Sequence, residues 1–366
     1  MRRLLYIGCI GYQNMGDEAC LEGYQMLMDR LSPVDWWLHS LNGYDFIGNE
    51  PFDAIALGGG TLLSPHGNLG DAAMLEAKHR QVPYFIFGTG LESIEWEGLP
   101  EEPMLSDFVE MVRGASLIGV RGPLSKNYLT EIGISAERIQ VIGDPAVMLQ
   151  VDNDDKEPSG SEQERWVGVN VGTSFGRVYG WDEERMCAEL VKAIESIAAQ
   201  GWGICLFPIW TRDLKIQNSV AEKLSHLPRV RNIQTVTPPH ELMELIRGFR
   251  SVIAMKLHVG ILSAAAGTPY IPWAYRPKVE DFATAIGVEQ YVVRTNANAE
   301  ELVEAWEKLQ QDEATVRSTM ATGVAQMRSR LSRFTAEMLR ELNRFYPDAM
   351  SESIIPGEGN LRGGHI

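Results

Sequence analysis

Short apolar runs alternate with longer amphipathic stretches along most of the chain, and this rhythm limits the possible folds more than any other feature. From Arg3 to Leu149 the runs are LLYIGC, VDWWLH, DAIAL, YFIF, SLIGV and IQVI, separated by stretches such as 16 to 31 and 122 to 132. Such runs read as strands of a parallel sheet, and the stretches between them as the crossover helices of βα units. Segment 151 to 165, VDNDDKEPSGSEQER, is acidic and polar without an apolar period and reads as a domain linker. The rhythm then restarts with strand WVGVNV, helix 182 to 199, strand WGICLFP, helices 213 to 225 and 238 to 248, strand SVIAM, helix 258 to 266 and strands YIPWA and QYVV.

The expected architecture is α/β, with two Rossmann-like doubly wound domains. An N-terminal domain spans 1 to 150, a linker 151 to 165, a C-terminal domain 166 to 298, closing helices 299 to 346 and a flexible tail 347 to 366. The closing helices are read from Leu302, Trp306 and Leu309, then Met327, Leu331, Phe334, Met338 and Leu342, which recur at helical spacing. With 366 residues, 45% of them hydrophobic, the chain can fill two cores. Sheets facing one another place a ligand cleft between the carboxyl ends of both sets of strands.

Charge narrows the class of partner. Against 49 acidic residues there are 33 basic ones, a formal charge of −16, which repels nucleic-acid backbones and anionic membrane surfaces. An anionic ligand would need a local cluster of cations and helix N-termini to overcome that field. Four scattered cysteines, without CxxC spacing, read as small hydrophobes in a reducing compartment. No run approaches the roughly twenty apolar residues of a membrane span. A soluble, cytoplasmic protein is expected, with no cofactor and no metal, since no metal-ligand spacing stands out.

Four constellations fall at the expected strand ends. Gly8 to Glu18, GCIGYQNMGDE, is a Gly-rich loop opening a helix; Asp17 and Glu18 there could act on a substrate or simply favour the helix N-terminus. Gly58-Gly59-Gly60-Thr61 and Gly88-Thr89-Gly90 each follow a strand and read as a binding mouth where backbone approaches ligand. Arg121 emerges from strand SLIGV, where it could grip a carboxylate or phosphate, and Gly143-Asp144-Pro145-Ala146 closes the next unit. The most specific is AMKLHVG, placing Lys256 and His258 at one strand end, followed by Tyr275-Arg276-Pro277-Lys278 at the next; a histidine among three cations points to catalysis.

In this order, from Gly8 to about Val293, the constellations resemble the polysaccharide pyruvyl transferase family, with its early G-x-x-x-x-G-D-E loop, GGG segment, Arg-bearing strand end, D-P-A segment and late R-L-H followed by Y-x-x-K. The resemblance implies a fold similar to GT-B glycosyltransferases, without a cofactor, and transfer of the pyruvyl group of phosphoenolpyruvate, a co-substrate, onto sugar hydroxyls as a ketal. His258 then corresponds to the catalytic histidine and general acid, with Asp17 and Glu18 acting on the acceptor. Lys256, Arg276, Lys278 and Arg121 would bind the donor, and Asn14, Gly16, Gly59 and Gly60 the acceptor glycan or its precursor; a lipid-linked acceptor would be reached peripherally. Two departures stand out: Lys256 replaces the usual Arg, losing a bidentate grip, and Gly122 replaces the Asp that usually follows Arg121. A GT-B-type glycosyltransferase or nucleotide-sugar enzyme is the alternative, and a non-catalytic binding protein of the same fold the second.

Overall fold

The computed structural model describes residues 2–31, 36–42, 51–67, 69–91, 98–151 and 165–347. Apart from residues 151, 165 and 347, the expected linker and tail lie outside the described residues.

The first half carries β1 (Arg2–Gly8), α1 (Met15–Leu31), β2 (Trp36–Asn42), β3 (Ala54–Leu57), β4 (Gly60–Leu63), α2 (Leu69–Arg80), β5 (Tyr84–Leu91), α3 (Met104–Gly114), β6 (Leu117–Val120), α4 (Pro123–Glu131) and β7 (Ile139–Val141). Its strands are parallel in the order β2-β1-β3-β5-β6-β7, with β4 paired to β5. Both faces are covered, as the apolar runs require: Leu4 and Tyr6 of β1 enter one apolar cluster, while Leu5 and Ile7 enter another.

The second half carries β8 (Trp166–Asn170), α5 (Glu183–Ala199), β9 (Gly203–Leu206), α6 (Leu214–Lys223), β10 (Val230–Asn232), α7 (Pro239–Arg247), β11 (Ser251–Ala254), α8 (Leu257–Ala266), β12 (Tyr270–Ala274), α9 (Pro277–Ile286) and β13 (Val293–Arg294). Here the parallel order is β10-β9-β8-β11-β12-β13. In such sheets ligands bind where the strand order reverses. Those points are the ends of β1 and β3 in one sheet and of β8 and β11 in the other.

Helices α10 (Ala299–Gln311) and α11 (Glu313–Phe345) close the chain. The second joins the halves. Near its start Gly323 lies so close to Ile286 of α9 that a Cβ would overlap it, while farther along Phe334 meets the Phe87 ring at 5.5 Å. Arg328 donates to the carbonyls of Val147 at 2.7 Å and Leu149 at 2.9 Å, and the Tyr346 hydroxyl donates to the Asp53 carbonyl at 2.7 Å. One apolar cluster therefore runs through both halves. Among the described residues no helix is long and apolar enough to cross a membrane.

Strand β5 continues through Gly88-Thr89-Gly90, where the sequence suggested a turn and a binding mouth. Both glycines serve packing. Gly88 has φ of 72° and faces Pro145, and a Cβ on Gly90 would overlap the Arg121 guanidinium.

Candidate active site

A cavity of about 270 Å³ lies between the two switch points, lined from the first half by Asn14, Asp17, Gly60 and Arg121 and from the second by Lys256, His258, Tyr275, Arg276 and Lys278. Most of the chemically distinctive residues of the sequence thus meet in one place. Lys256 precedes α8 and Arg276 precedes α9, so two helix N-termini add positive potential where the cations converge.

His258 sits in the first turn of α8, over Gly16, where a Cβ would overlap its ring. Gly16 therefore makes room for the imidazole. The ring Nε2 lies 3.7 Å from Asp144 and 3.3 Å from the Cys20 sulfur, and the Cys20 thiol donates to the other Asp144 oxygen at 3.3 Å. Asp144 is fully buried and also accepts from the Ala146 N–H at 3.0 Å. Burial alone would raise its carboxyl, but His258, Arg121 and that amide outweigh it and hold the carboxyl below its ordinary value. The imidazole is thus backed by a buried anion. Cys20, Asp144 and His258 offer three donor atoms within 4.8 Å of one another, the set among the described residues that could hold a metal. Burial and the charges of Asp144 and Asp17 push the Cys20 thiol well above its usual range, so ligation would have to strip a proton held tightly.

Asp17 is half-buried, and its Oδ2 accepts from the Asn14 amide at 2.6 Å. Burial pushes its carboxyl up to about 6, against the opposing pull of His258 and Lys278. Glu18 is placed differently: it accepts from the Gly11 N–H at 2.6 Å and ties down the Gly-rich loop, and it does not line the cavity. Gly59, expected to face the acceptor, donates its N–H to the Tyr6 hydroxyl at 3.1 Å, and a Cβ there would strike Cys20. It is a packing position. Gly60, with φ of 100°, does line the cavity.

Arg121 is 1% exposed, yet it reaches the cavity. Its Nη1 donates to the Gly60 carbonyl at 2.9 Å, while Nε and Nη2 have no hydrogen-bond partner among the described residues. Buried guanidinium N–H groups are costly to leave unsatisfied, so this side chain is prepared for an anion. A Cβ on Gly122 would overlap the carboxylate of Asp281, which arrives from α9 and accepts from the Leu124 N–H at 2.9 Å. Asp281 raises its carboxyl through burial, with Leu124 and Arg121 opposing. The acidic group absent after Arg121 in the sequence is therefore supplied in space by Asp281.

Lys256 is less available than expected. Its Nζ lies 3.2 Å from the fully buried Asp213 and donates to the Thr173 carbonyl at 2.5 Å. The cations converge instead on Tyr275, with Lys256, Arg276 and Lys278 lying 5.6, 5.7 and 5.3 Å from its ring. Burial would raise the phenol, but the three charges together hold it below its ordinary value. Tyr275, Asp144, Cys20 and Asp213 were not singled out as site residues from sequence, although the first two stand inside the motifs that were.

Comparison with known proteins places this site in context. The model of the family described as polysaccharide pyruvyl transferase matches residues 14–277. No curated protein sequence gives a significant match. Among solved structures, the UDP-GlcNAc 2-epimerase from Methanocaldococcus jannaschii is 15% identical, with 94% of this chain and 100% of that one covered and a TM-score of 0.60. The UDP-GlcNAc 2-epimerase from Neisseria meningitidis bound to UDP-GlcNAc is 12% identical, over 93% and 100%, at 0.61. A glycotransferase of kitacinnamycin is 11% identical, over 93% and 99%, at 0.59. These similarities establish a GT-B-type fold.

Proposed function

Because the chain belongs to the polysaccharide pyruvyl transferase family, we propose that it uses phosphoenolpyruvate as donor and pyruvylates two hydroxyls of a sugar in a cell-surface glycan or its precursor. The observation that carries this reading is Arg121: a buried guanidinium whose Nε and Nη2 have no hydrogen-bond partner among the described residues lines a cavity that also holds Arg276 and Lys278. A small ligand carrying both a carboxylate and a phosphate suits that charge distribution in a protein of net charge −16.

In this reaction two acceptor hydroxyls add to the central carbon of the donor, and its bond to the phosphate oxygen breaks. One hydroxyl proton ends on the methylene carbon, which becomes a methyl group, and the other leaves with phosphate. His258 delivers the proton to carbon. Asp144 and Cys20 lie against its Nε2 and, with Gly16 beneath the ring, fix the imidazole in place. Asp17, fixed by Asn14, takes the acceptor proton. Arg121, Arg276 and Lys278 hold the donor anion, and the Tyr275 phenol, ringed by cations, donates to the leaving phosphate.

Transfer from a nucleotide sugar is the second reading, favoured by the fold shared with an enzyme bound to UDP-GlcNAc. Thermal-shift measurements decide between them. Phosphoenolpyruvate should stabilise the parent protein and not Arg121→Met, with UDP-GlcNAc having no effect; the reverse pattern overturns the pyruvyl reading.

A further inference from the structure

We infer that Phe175 and Trp210, with Tyr12 and Arg212 beside them, form a carbohydrate-stacking subsite that receives one pyranose ring of the acceptor glycan at the mouth of the cavity. The inference deepens the proposed function and rests on its assignment of a sugar acceptor.

Phe175 is 64% and Tyr12 42% exposed, two of the seven large apolar side chains open to solvent among the described residues. Both line a depression of about 650 Å³ with Trp210 and Arg212. Cys9, Asn14, Asp17, Phe175 and Trp210 line this depression and the inner cavity alike, so one opens into the other. Its size suits a ligand larger than a three-carbon anion.

The cluster is held from both halves of the molecule. Trp210 Nε1 donates to the Tyr12 carbonyl at 3.1 Å, residues 14 and 210 form an antiparallel bridge, and the Met15 N–H donates to the Ile209 carbonyl at 3.0 Å. Phe175 has φ of 55°, a left-handed conformation unfavourable for an aromatic residue. Neighbours enforce it: the Thr173 hydroxyl accepts from the Phe175 N–H at 3.0 Å, and Glu183 accepts from the Ser174 N–H at 2.6 Å. Strain of this kind persists only where the surroundings over-determine it, and it collects at ligand clamps. Here it fixes an apolar ring in water, beside the carboxylate assigned to the acceptor.

The geometry selects the ligand class. The Phe175 and Trp210 rings stand 6.1 Å apart at 83°, leaving no parallel slot in which a flat base could be sandwiched. A pyranose offers an apolar face of C–H bonds to one ring and hydroxyls at its rim. Arg212 lies 4.9 Å over Trp210 and 5.8 Å from Phe175, so its guanidinium is close enough to donate to hydroxyls of a ring stacked on Phe175. Hydroxyls on the inward side then reach Asp17 and Asn14.

The test is saturation-transfer NMR on the full chain with methyl glucoside, galactoside, mannoside and N-acetylglucosaminide, and with UDP as a control. At least one glycoside should take up saturation at its ring C–H protons. Its affinity should fall about two- to tenfold in Phe175→Ala and be retained in Phe175→Trp. Phosphoenolpyruvate stabilisation, measured on the same variants, should fall less than the glycoside affinity, because Phe175 borders the donor cavity without a charge to offer it. Absence of saturation for every glycoside, saturation indifferent to Phe175→Ala, or Phe175-dependent saturation of the uracil protons alone would overturn the subsite. Glycoside binding without any response to phosphoenolpyruvate would leave the subsite standing and remove the donor assignment. A phosphoenolpyruvate response with glycoside signals indifferent to Phe175 would do the opposite.

Discussion

His258, Asp144 and Asp17 carry separable work. His258→Gln keeps a hydrogen-bonding group but cannot transfer a proton, so turnover at saturating donor should fall about 10² to 10⁴-fold. A loss below about threefold would make His258 a positioning residue. Asp144→Asn removes the buried charge behind the imidazole and should lower turnover with little change in the donor KM, the signature of an interaction made in the transition state. Asp17, with its carboxyl pushed up to about 6, should give kcat/KM an acidic limb near that pH, absent in Asp17→Asn. The same shift affects stability. A carboxyl raised in the folded state binds protons more tightly there than when unfolded, so folding loses stability as pH rises through that window. Asp17→Asn should escape this loss, gaining about 1–3 kcal/mol at neutral pH and little below pH ~4, as denaturant titrations at both pH values would reveal.

At the scale of elements, the start of α4 and the side of α9 share one carboxylate. Gly122 lacks a side chain where Asp281 projects, and Asp281 caps the Leu124 N–H of the neighbouring element. Gly122→Asp should therefore crowd two buried acids and cost about 2 kcal/mol or more. Combining it with Asp281→Ala should recover part of that, with a coupling of about 1–3 kcal/mol in a double-mutant cycle. Additive effects would show that the two positions do not share the site. Lys256 follows the same logic: paired with Asp213, it organises the end of β11 and the loop after β8 more than it offers a free charge.

For the molecule as a whole, α11 determines whether the two switch points face each other. It packs Phe334 against Phe87 in the first half and Gly323 against Ile286 in the second. Phe334→Ala should cost about 3–5 kcal/mol by opening a cavity in that seam. A chain ending at Gln311 should lose the single cooperative transition expected of the parent and melt in two steps by calorimetry, because the halves would no longer be clamped. One sharp transition in the truncated chain would show that the cleft contacts alone hold the halves together.

The sequence by itself determined the parallel βα rhythm, the two halves, the closing helices and the strand ends that bear Arg121, Lys256, His258 and Lys278. These are legible because hydrophobic period and turn chemistry are local properties, written within a dozen residues. It could not determine partners far apart in the chain. Cys20, Asp144 and His258 meet only because the end of β7, helix α1 and helix α8 converge when the halves dock, and Asp281 reaches Gly122 by the same docking. For that reason a motif glycine that read as ligand-binding became the seat of an imidazole at Gly16, and a lysine that read as donor-binding became the partner of Asp213. Tertiary packing decided these because it alone sets which buried charge faces which, and in a low-dielectric interior that pairing governs both protonation and the shape left open for a ligand.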